Sequence, residues 1–289
     1  MKIIRSATFL VASFLTTTVI AQTDNALLYE VTGNGLTAPS YLYGTFHLVC
    51  PTDLIITDPM KKAMADTKQL YLEVDMDDPM LMSKMQTAMV LPAGKTAKDY
   101  LSADDYKLLD DYLTKTMSVK LDLVNTFRPI GLTSFLLMGM LHCQPASYDM
   151  TFAQMATAQK KEVLGLETME SQLAVLEKKP LEKQFKELAD LAREPEKAQK
   201  EFADLLAAYK AKDLSQMREV MKNSGTAGEF AEMEGPLLNE RNANWIPVIE
   251  QAAKTTPTFF AFGAGHLIGD KGVIALLKKQ GYVVKAVAP

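Results

Sequence analysis

The chain has 289 residues, of which 31 are basic and 35 acidic, and its formal net charge at pH 7 is −4. Without the first 21 residues, which include Lys2 and Arg5, the net charge would be about −6. This balance argues against nucleic acids and anionic membranes as partners, because both select basic surfaces. About 268 residues would remain, enough for one large domain.

The first 21 residues predict a secretory signal peptide. Lys2 and Arg5 form a basic start, residues 7–15 form an apolar run, and the small residue Ala21 closes the segment. A membrane anchor is the alternative, but the apolar run is short and threonines dilute its end. We therefore expect an exported protein, either periplasmic or secreted to the medium or cell surface, without a stable membrane span after cleavage.

The two cysteines, Cys50 and Cys143, lie far apart in the sequence. In an exported protein, an isolated pair of cysteines favours a disulfide. The alternative is a metal cluster, because Cys50 follows His47 by three residues and Cys143 is next to His142. We favour the disulfide because of the compartment, and we expect His142 to be structural. A disulfide would join the segment after His47 to the middle of the chain.

Apolar segments bounded by glycine, proline or acidic residues predict strands. They lie at residues 26–32, 40–43, 69–75, 161–166, 257–263 and 282–287. Apolar residues at helical spacing, often behind proline or acidic residues, predict helical segments. These lie at residues 58–67, 79–145, 150–159, 169–225, 234–254 and 271–280. We expect Asp149 to cap the helix at 150–159.

The predicted strands come from both ends of the chain, and its middle is helical. This order predicts an α/β fold with a mixed central sheet, formed by strands from both ends and covered by helices. Residues 22–289 would form a single domain. A large helical middle segment, about 79–160 and 169–255, would belong to it.

Two of the three histidines have the same sequence setting. Gly44 and His47, like Gly263 and His266, form a Gly-x-x-His motif at the end of an aromatic-rich strand. Imidazole is the commonest transition-metal ligand and the usual general base near neutral pH, and α/β proteins build their sites at strand ends. The glycines allow a close backbone approach. The alternative is that each histidine is a satisfied rim residue or a helix cap, but the matched settings favour function.

Two glutamates also lie at the ends of apolar strands, Glu73 after residues 70–72 and Glu167 after residues 163–166. If these strands are parallel and adjacent, both carboxylates point to the same rim as the histidines. Two imidazoles and one or two carboxylates form a reasonable site for a divalent metal. The alternative for Glu73 is a solvated edge, because three aspartates follow it closely.

Arg241 lies in a predicted helix, four residues before the only tryptophan, Trp245. A guanidinium beside a metal site can stabilise developing negative charge or hold a carboxylate. From the sequence alone, a surface ion pair on the helix is the favoured interpretation of this residue.

Taken together, these residues resemble the TraB/GumN family, which is related to the Tiki metalloproteases and more distantly to erythromycin-esterase and ChaN-like proteins. The resemblance covers residues 27–287. The family pattern of two Gly-x-x-His motifs, two strand-end glutamates and a late arginine matches the residues described above. These are Gly44, His47, Glu73, Glu167, Arg241, Gly263 and His266. The resemblance implies a metal-dependent hydrolase, and for Tiki-like members a peptidase that uses manganese or cobalt. Zinc stays an alternative.

These observations predict an exported metal-dependent hydrolase that acts on a peptide or protein. His47 and His266, with Glu73 or Glu167, would hold the metal, and the remaining glutamate would act as general base. Arg241 would stabilise an oxyanion or hold a substrate carboxylate. One alternative is a non-catalytic protein that sequesters a peptide, a metal or a small molecule at the same rim. Another is a purely structural exported protein.

Overall fold

The structure is a computed structural model that describes residues 25–141, 143–224 and 232–288. The predicted signal peptide and His142 lie outside these residues. Within the described residues, six strands form one sheet in the order β4-β3-β5-β2-β1-β6. The strands are β1 (Leu28–Gly33), β2 (Ser40–Thr45), β3 (Gln69–Leu72), β4 (Glu162–Gly165), β5 (Thr258–Gly263) and β6 (Tyr282–Ala286).

The sheet is mixed. Strands β4, β3, β5 and β2 run parallel to one another, and β1 is antiparallel to both β2 and β6. The late strand β5 lies between the early strands β3 and β2, which joins the two ends of the chain in one sheet. The prediction of a mixed α/β sheet built from both ends is thus confirmed.

Helices occupy most of the chain between β3 and β5, as expected for the helical middle segment. The helices are α1 (Asp58–Asp66), α2 (Leu81–Ala88), α3 (Ala103–Met117), α4 (Leu121–Val124), α5 (Pro129–Leu141), α6 (Tyr148–Ala158), α7 (Met169–Leu176), α8 (Leu181–Arg193), α9 (Pro195–Lys210), α10 (Leu214–Asn223), α11 (Glu240–Thr255) and α12 (Val273–Lys279). Short 3-10 turns lie at Ala97–Asp99 and Ala264–Leu267, and a π-helical turn at Gly235–Asn239 leads into α11.

The core lies on both faces of the sheet. Successive residues of β5 point to opposite faces, so Phe259 packs with Phe152 of α6 while Phe260 belongs to the layer that contains Trp245 of α11. All of these side chains are fully buried. A third apolar cluster, which includes Phe185, joins α3, α4, α5 and α8 beside the sheet. Since both faces are covered, polar side chains gather at the ends of the strands.

Some local boundaries and caps near the strand ends differ from the sequence prediction. Strand β3 ends at Leu72 rather than Asp75, which puts Glu73 directly after the strand. Pro129 is the first residue of α5, a position that suits proline because a first-turn residue needs no intrahelical N–H partner. The cap of α6 is Ser147 rather than Asp149, since Ser147 Oγ accepts the Met150 N–H at 3.4 Å. Asp149 is therefore free for another contact.

The predicted disulfide is confirmed. Cys50 and Cys143 are bonded, with an S–S distance of 2.03 Å, and the bond spans 93 residues of sequence. Beside it, Val49 and Ala146 exchange two backbone hydrogen bonds of 3.0 and 2.8 Å. The loop after β2 is thus tied to the segment that enters α6. In the described ranges, no helix combines the length and apolar character that a membrane crossing requires.

Candidate active site

The carboxyl ends of the parallel strands meet at one edge of the sheet, and the five predicted site side chains lie there. His47 follows β2 by two residues, Glu73 follows β3 directly, and Glu167 follows β4 by two residues. His266 lies in the turn after β5, and Arg241 is the second residue of α11. Because parallel strands end at the same edge, their terminal residues are brought together from distant parts of the sequence. The roles assigned to these residues stay predictions.

The Arg241 guanidinium lies at the centre of this group. Its Nε and Nη2 atoms donate to Oε1 of Glu167 at 3.0 and 2.6 Å, and Nη2 also donates to Oε2 of Glu73 at 2.5 Å. Nη1 lies 2.9 Å from the Leu237 carbonyl oxygen and 3.1 Å from Nε2 of His266. These contacts match the five N–H donors of the guanidinium. Only 9% of the side chain is exposed, so Arg241 is not a surface ion pair.

Glu73 is a buried carboxylate whose two oxygens have different partners. Oε1 accepts the Gly263 N–H at 2.8 Å, while Oε2 accepts from Arg241 and from Gln172, the latter at 3.0 Å. Burial raises the pKa of Glu73, but the nearby imidazoles, the Arg241 guanidinium and the Gly263 N–H outweigh it and hold the pKa at about 2. Glu73 is therefore ionised near neutral pH, and it is not a solvated edge residue.

His266 is held in one tautomer. Asn242 Nδ2 donates to the Lys271 carbonyl at 2.9 Å, so its Oδ1 faces His266 and accepts the Nδ1–H at 2.6 Å. Nε2 therefore carries the lone pair, which accepts from Arg241. Burial lowers the pKa of His266 to about 3, and the ring of Trp245 lies 4.3 Å away, centroid to centroid. The imidazole is thus neutral, with its lone pair directed into the site.

His47 differs from His266 in exposure and in its partner. Its Nδ1–H donates to Oδ2 of Asp149 at 3.0 Å, and Nε2 lies 3.7 Å from Oε1 of Glu73. Although 62% of the side chain is exposed, the protein atoms around the ring displace part of its water, and this desolvation lowers its pKa. The hydrogen bond to Asp149 and the charge of Glu73 oppose this effect and raise the pKa to about 9. His47 is therefore protonated near neutral pH.

The two motif glycines are needed for space. A Cβ atom on Gly263 would lie 3.2 Å from Oε1 of Glu73 and 3.3 Å from Nε2 of His47. A Cβ atom on Gly44 would lie 2.7 Å from Cδ1 of Leu267 and 3.0 Å from Cα of Ala264. Real Cβ atoms do not tolerate such distances without a shift of the neighbours. The glycines therefore let the two strand ends, and the groups that follow them, approach closely.

The donor types at this site, two imidazoles and a carboxylate, are ones that divalent metals bind in proteins. Nε2 of His47 and Nε2 of His266 lie 3.7 and 3.9 Å from the same atom, Oε1 of Glu73. Each histidine uses Nδ1 for a hydrogen bond to another side chain, the usual support for an imidazole that binds metal through Nε2. Across the described ranges, no three His, Cys, Asp or Glu side chains form a ready ligand cluster. In this structure, the positive charge beside Glu73 and His266 is that of the Arg241 guanidinium, which contacts both side chains.

Three polar partners were missed by the sequence analysis. Asp149 was expected only as a helix cap, and its contact with His47 arises between distant segments. Gln172, in α7, donates to both Glu73 and Glu167, at 3.0 and 3.3 Å. Asn242 follows Arg241 directly in α11, and that adjacency was the one sequence signal that could have identified it.

A cavity of about 560 Å³ lies among α5, α8 and α9. Its lining does not include the two motif histidines or the two glutamates, and it approaches the site through Leu237, whose carbonyl accepts from Arg241. In the described structure, the group of candidate site side chains and this cavity are therefore neighbouring but separate.

Comparison with known proteins gives a consistent result. The chain is similar to Metalloprotease TIKI2 of Xenopus tropicalis, at 24% identity over 86% of this chain and 57% of the relative. It is also similar to TIKI2 of Danio rerio, at 25% identity over 93% and 62%, and to TIKI1 of Homo sapiens, at 23% over 86% and 59%. The chain thus spans less than two thirds of the length of these relatives. No solved structure matches it significantly.

The model of the TraB/PrgY/gumN family matches residues 27–286, which include every strand of the sheet and all five candidate site side chains. The order of the two Gly-x-x-His motifs and the strand-end glutamates agrees with the resemblance seen in the sequence. The chain belongs to the TraB/PrgY/gumN family.

Proposed function

We propose that this protein is an exported, metal-dependent hydrolase that cleaves a peptide or protein. One observation carries the proposal: Nε2 of His47 and Nε2 of His266 both lie within 4 Å of Oε1 of the ionised Glu73. Two imidazole nitrogens and one carboxylate oxygen are the ligand set of many hydrolytic metal sites. The similarity to proteins named as TIKI metalloproteases supports the same reaction class.

In this proposal, His47, His266 and Glu73 hold the metal. Manganese or cobalt is favoured by the family resemblance, and zinc suits the same ligands. When bound, a divalent cation supplies Lewis-acid polarisation of a carbonyl oxygen and lowers the pKa of water. Glu73 is assigned to the metal rather than to proton transfer, because it is the carboxylate that faces both imidazoles.

Glu167 is then the general base. Arg241 and Gln172 contact it through Oε1, which leaves Oε2 to take a proton from the attacking water. Arg241 holds Glu167 and Glu73 in place. The role predicted for Arg241 from the sequence, at an oxyanion or a substrate carboxylate, requires that one of its hydrogen bonds be released, because all five donors are engaged.

An exported location, periplasmic or at the cell surface or beyond, accompanies this proposal. The predicted signal peptide and the Cys50–Cys143 disulfide support it, since structural disulfides persist in oxidising compartments.

The test begins with metal content. The purified protein and a His47→Ala/His266→Ala double variant are loaded with Mn²⁺, Co²⁺ or Zn²⁺, and bound metal is measured by elemental analysis. We expect about one metal per chain in the protein and none in the variant. Cleavage of a peptide library should then depend on the metal and stop when a chelator is added. Retained metal and turnover in a folded double variant would overturn the assignment of the two histidines.

The alternative function is sequestration without turnover. It is favoured by the full engagement of Arg241, which leaves no donor free for a transition state. Metal uptake together with peptide binding, but without cleavage at any loading metal, would favour this alternative over the hydrolase.

A further inference from the structure

His47 is the more exposed of the two motif histidines, yet its ring has a definite orientation. With 62% of its side chain exposed, packing alone does not fix the ring. The hydrogen bond from Nδ1–H to Oδ2 of Asp149, at 3.0 Å, is the contact that does so. A ring held through Nδ1 presents Nε2 on its opposite side, and there Nε2 lies 3.7 Å from Oε1 of Glu73.

Asp149 is itself held firmly. Oδ1 accepts the hydroxyl of Thr45 at 3.3 Å, and Oδ2 also accepts the hydroxyl of Ser147 at 3.4 Å. Thr45 is the last residue of β2 and is buried, whereas Ser147 caps α6. The Asp149 carboxylate is 14% exposed and lies in the first turn of α6, where the helix dipole favours negative charge. The position of this acceptor is therefore fixed by hydrogen bonds from the end of a strand, at Thr45, and from the start of a helix, at Ser147.

The loops that carry this pair are joined to each other. Val49, two residues after His47, pairs with Ala146 through two backbone hydrogen bonds. The Cys50–Cys143 disulfide closes the same junction. These links keep His47 and Asp149 in register, although 102 positions separate them in sequence.

We propose that Asp149 is the positioning residue of His47: its carboxylate holds the Nδ1–H and so directs Nε2 to the metal beside Glu73. The inference rests on the proposed metal site. Asn242 holds His266 in the same way, but with a neutral amide in a buried setting. The Asp149 carboxylate, which accepts the hydrogen bond of the exposed His47, orients the ring and also adds negative charge beside it. That charge makes Nε2 of His47 a stronger metal ligand.

The test compares Mn²⁺ affinity, by titration calorimetry, among the protein, Asp149→Ala, Asp149→Asn and a control, Asp58→Ala. Asp58 also lies in the first turn of a helix, α1, but contacts Lys61 rather than a histidine. We expect Asp149→Ala to weaken Mn²⁺ binding about 10- to 100-fold. Asp149→Asn keeps an acceptor without the charge, so its affinity should be intermediate. Asp58→Ala should match the parent protein.

A second readout needs no metal. Nitrogen-15 NMR of the imidazoles at about pH 10, where free histidine is neutral, reports which ring nitrogen carries the proton, and a His47→Gln variant assigns the signal. We expect the Nδ1–H tautomer in the parent protein and in Asp149→Asn, and a mixture in Asp149→Ala. An unchanged tautomer, or Mn²⁺ affinity in Asp149→Ala equal to that of the parent, would overturn the inference. If the parent protein binds none of the three metals, the proposed function fails, and the tautomer alone decides the role of Asp149.

Discussion

Nη1 of Arg241 lies 3.1 Å from Nε2 of His266, and Nε2 is the atom that a metal would need. The Nδ1–H of His266 is donated to Asn242, so the lone pair on Nε2 is occupied by the guanidinium. The same guanidinium contacts Glu73 at 2.5 Å. Arg241 therefore supplies positive charge to the site, and a metal that binds His266 must replace one of its hydrogen bonds.

The first prediction concerns the charge of Arg241. Replacing it by methionine leaves the buried Glu73 and the partly buried Glu167 without their cationic partner, which should cost about 3–5 kcal/mol in the free energy of unfolding without metal. Added Mn²⁺ should recover more stability in Arg241→Met than in the parent, because it replaces the missing cation. Urea denaturation followed by circular dichroism, with and without Mn²⁺, measures both effects.

Arg193→Met is the matched control for this experiment. Arg193 is 48% exposed and pairs with Asp105 and Asp190 outside the site. Its loss should cost no more than about 1 kcal/mol and should not change the response to Mn²⁺. If Arg241→Met lost its response to Mn²⁺ altogether, the guanidinium would be a support for metal binding rather than its competitor.

The second prediction concerns the motif glycines. Gly263→Ala places a methyl group against Glu73 and His47, and Gly44→Ala places one against Leu267 and Ala264. Each variant should be destabilised by about 1–3 kcal/mol, and Gly263→Ala should in addition bind Mn²⁺ more weakly. Thermal unfolding and calorimetric titration check the two effects separately.

Gly235→Ala is the control, since a Cβ atom there meets nothing within 4 Å. This variant should fold and bind metal as the parent does. Equal stability of Gly263→Ala and Gly235→Ala would mean that the strand ends can separate without cost.

The third prediction concerns pH. His47, with a pKa of about 9, must lose a proton before Nε2 can bind a metal, whereas His266, with a pKa of about 3, need not. Apparent metal affinity should therefore rise about tenfold per pH unit up to a pH near 9, with about one proton released per metal. Calorimetry in buffers of different ionisation enthalpy counts that proton. A flat affinity between pH 6 and 8 would show that the His47 imidazolium is absent.

The same pKa shift has the opposite effect on the metal-free protein. Because the pKa of His47 is raised on folding from 6.5 to about 9, its protonated form stabilises the native state. That stabilisation is complete below pH 6.5 and disappears as the pH rises through 9. Solvent around the exposed ring reduces its size. The difference in unfolding free energy between the parent and His47→Gln should shrink over this range.

The fourth prediction concerns the disulfide. Reduction of Cys50–Cys143 opens a loop of 93 residues and should cost about 2–5 kcal/mol of stability. It should also weaken Mn²⁺ binding, because it loosens the junction that aligns His47 with Asp149. Urea denaturation and metal titration with and without dithiothreitol measure both. A Cys50→Ser/Cys143→Ser variant should resemble the reduced protein and ignore the reductant.

Much of the site could be predicted because its signals are local. Each of His47, His266 and Glu73 follows an apolar strand within a few residues, and parallel strands bring such ends to one edge. The fold class could be predicted for a similar reason, since strands and helices differ in the spacing of their apolar residues.

The partners of these residues could not be predicted in the same way. Asp149 reads as a helix cap, and only the folded chain shows that Ser147 takes that role and leaves the Asp149 carboxylate to His47. Likewise, the helix of Arg241 gave no sign that its guanidinium is buried between Glu73 and Glu167. Both contacts depend on how distant elements pack against each other. The periodicity of a helix or a strand does not predict that packing.

The position of Trp245 has a practical consequence. It is the only tryptophan in the chain, and its indole lies 4.3 Å from the His266 ring and 4.8 Å from the Arg241 guanidinium. All tryptophan fluorescence of the protein therefore originates in the wall of the candidate site. Ligation of His266 or release of Arg241 would alter the charge beside the excited indole, and a paramagnetic ion at this distance would quench its emission. The fluorescence of Trp245 should therefore report ligand binding at these strand ends without any added label.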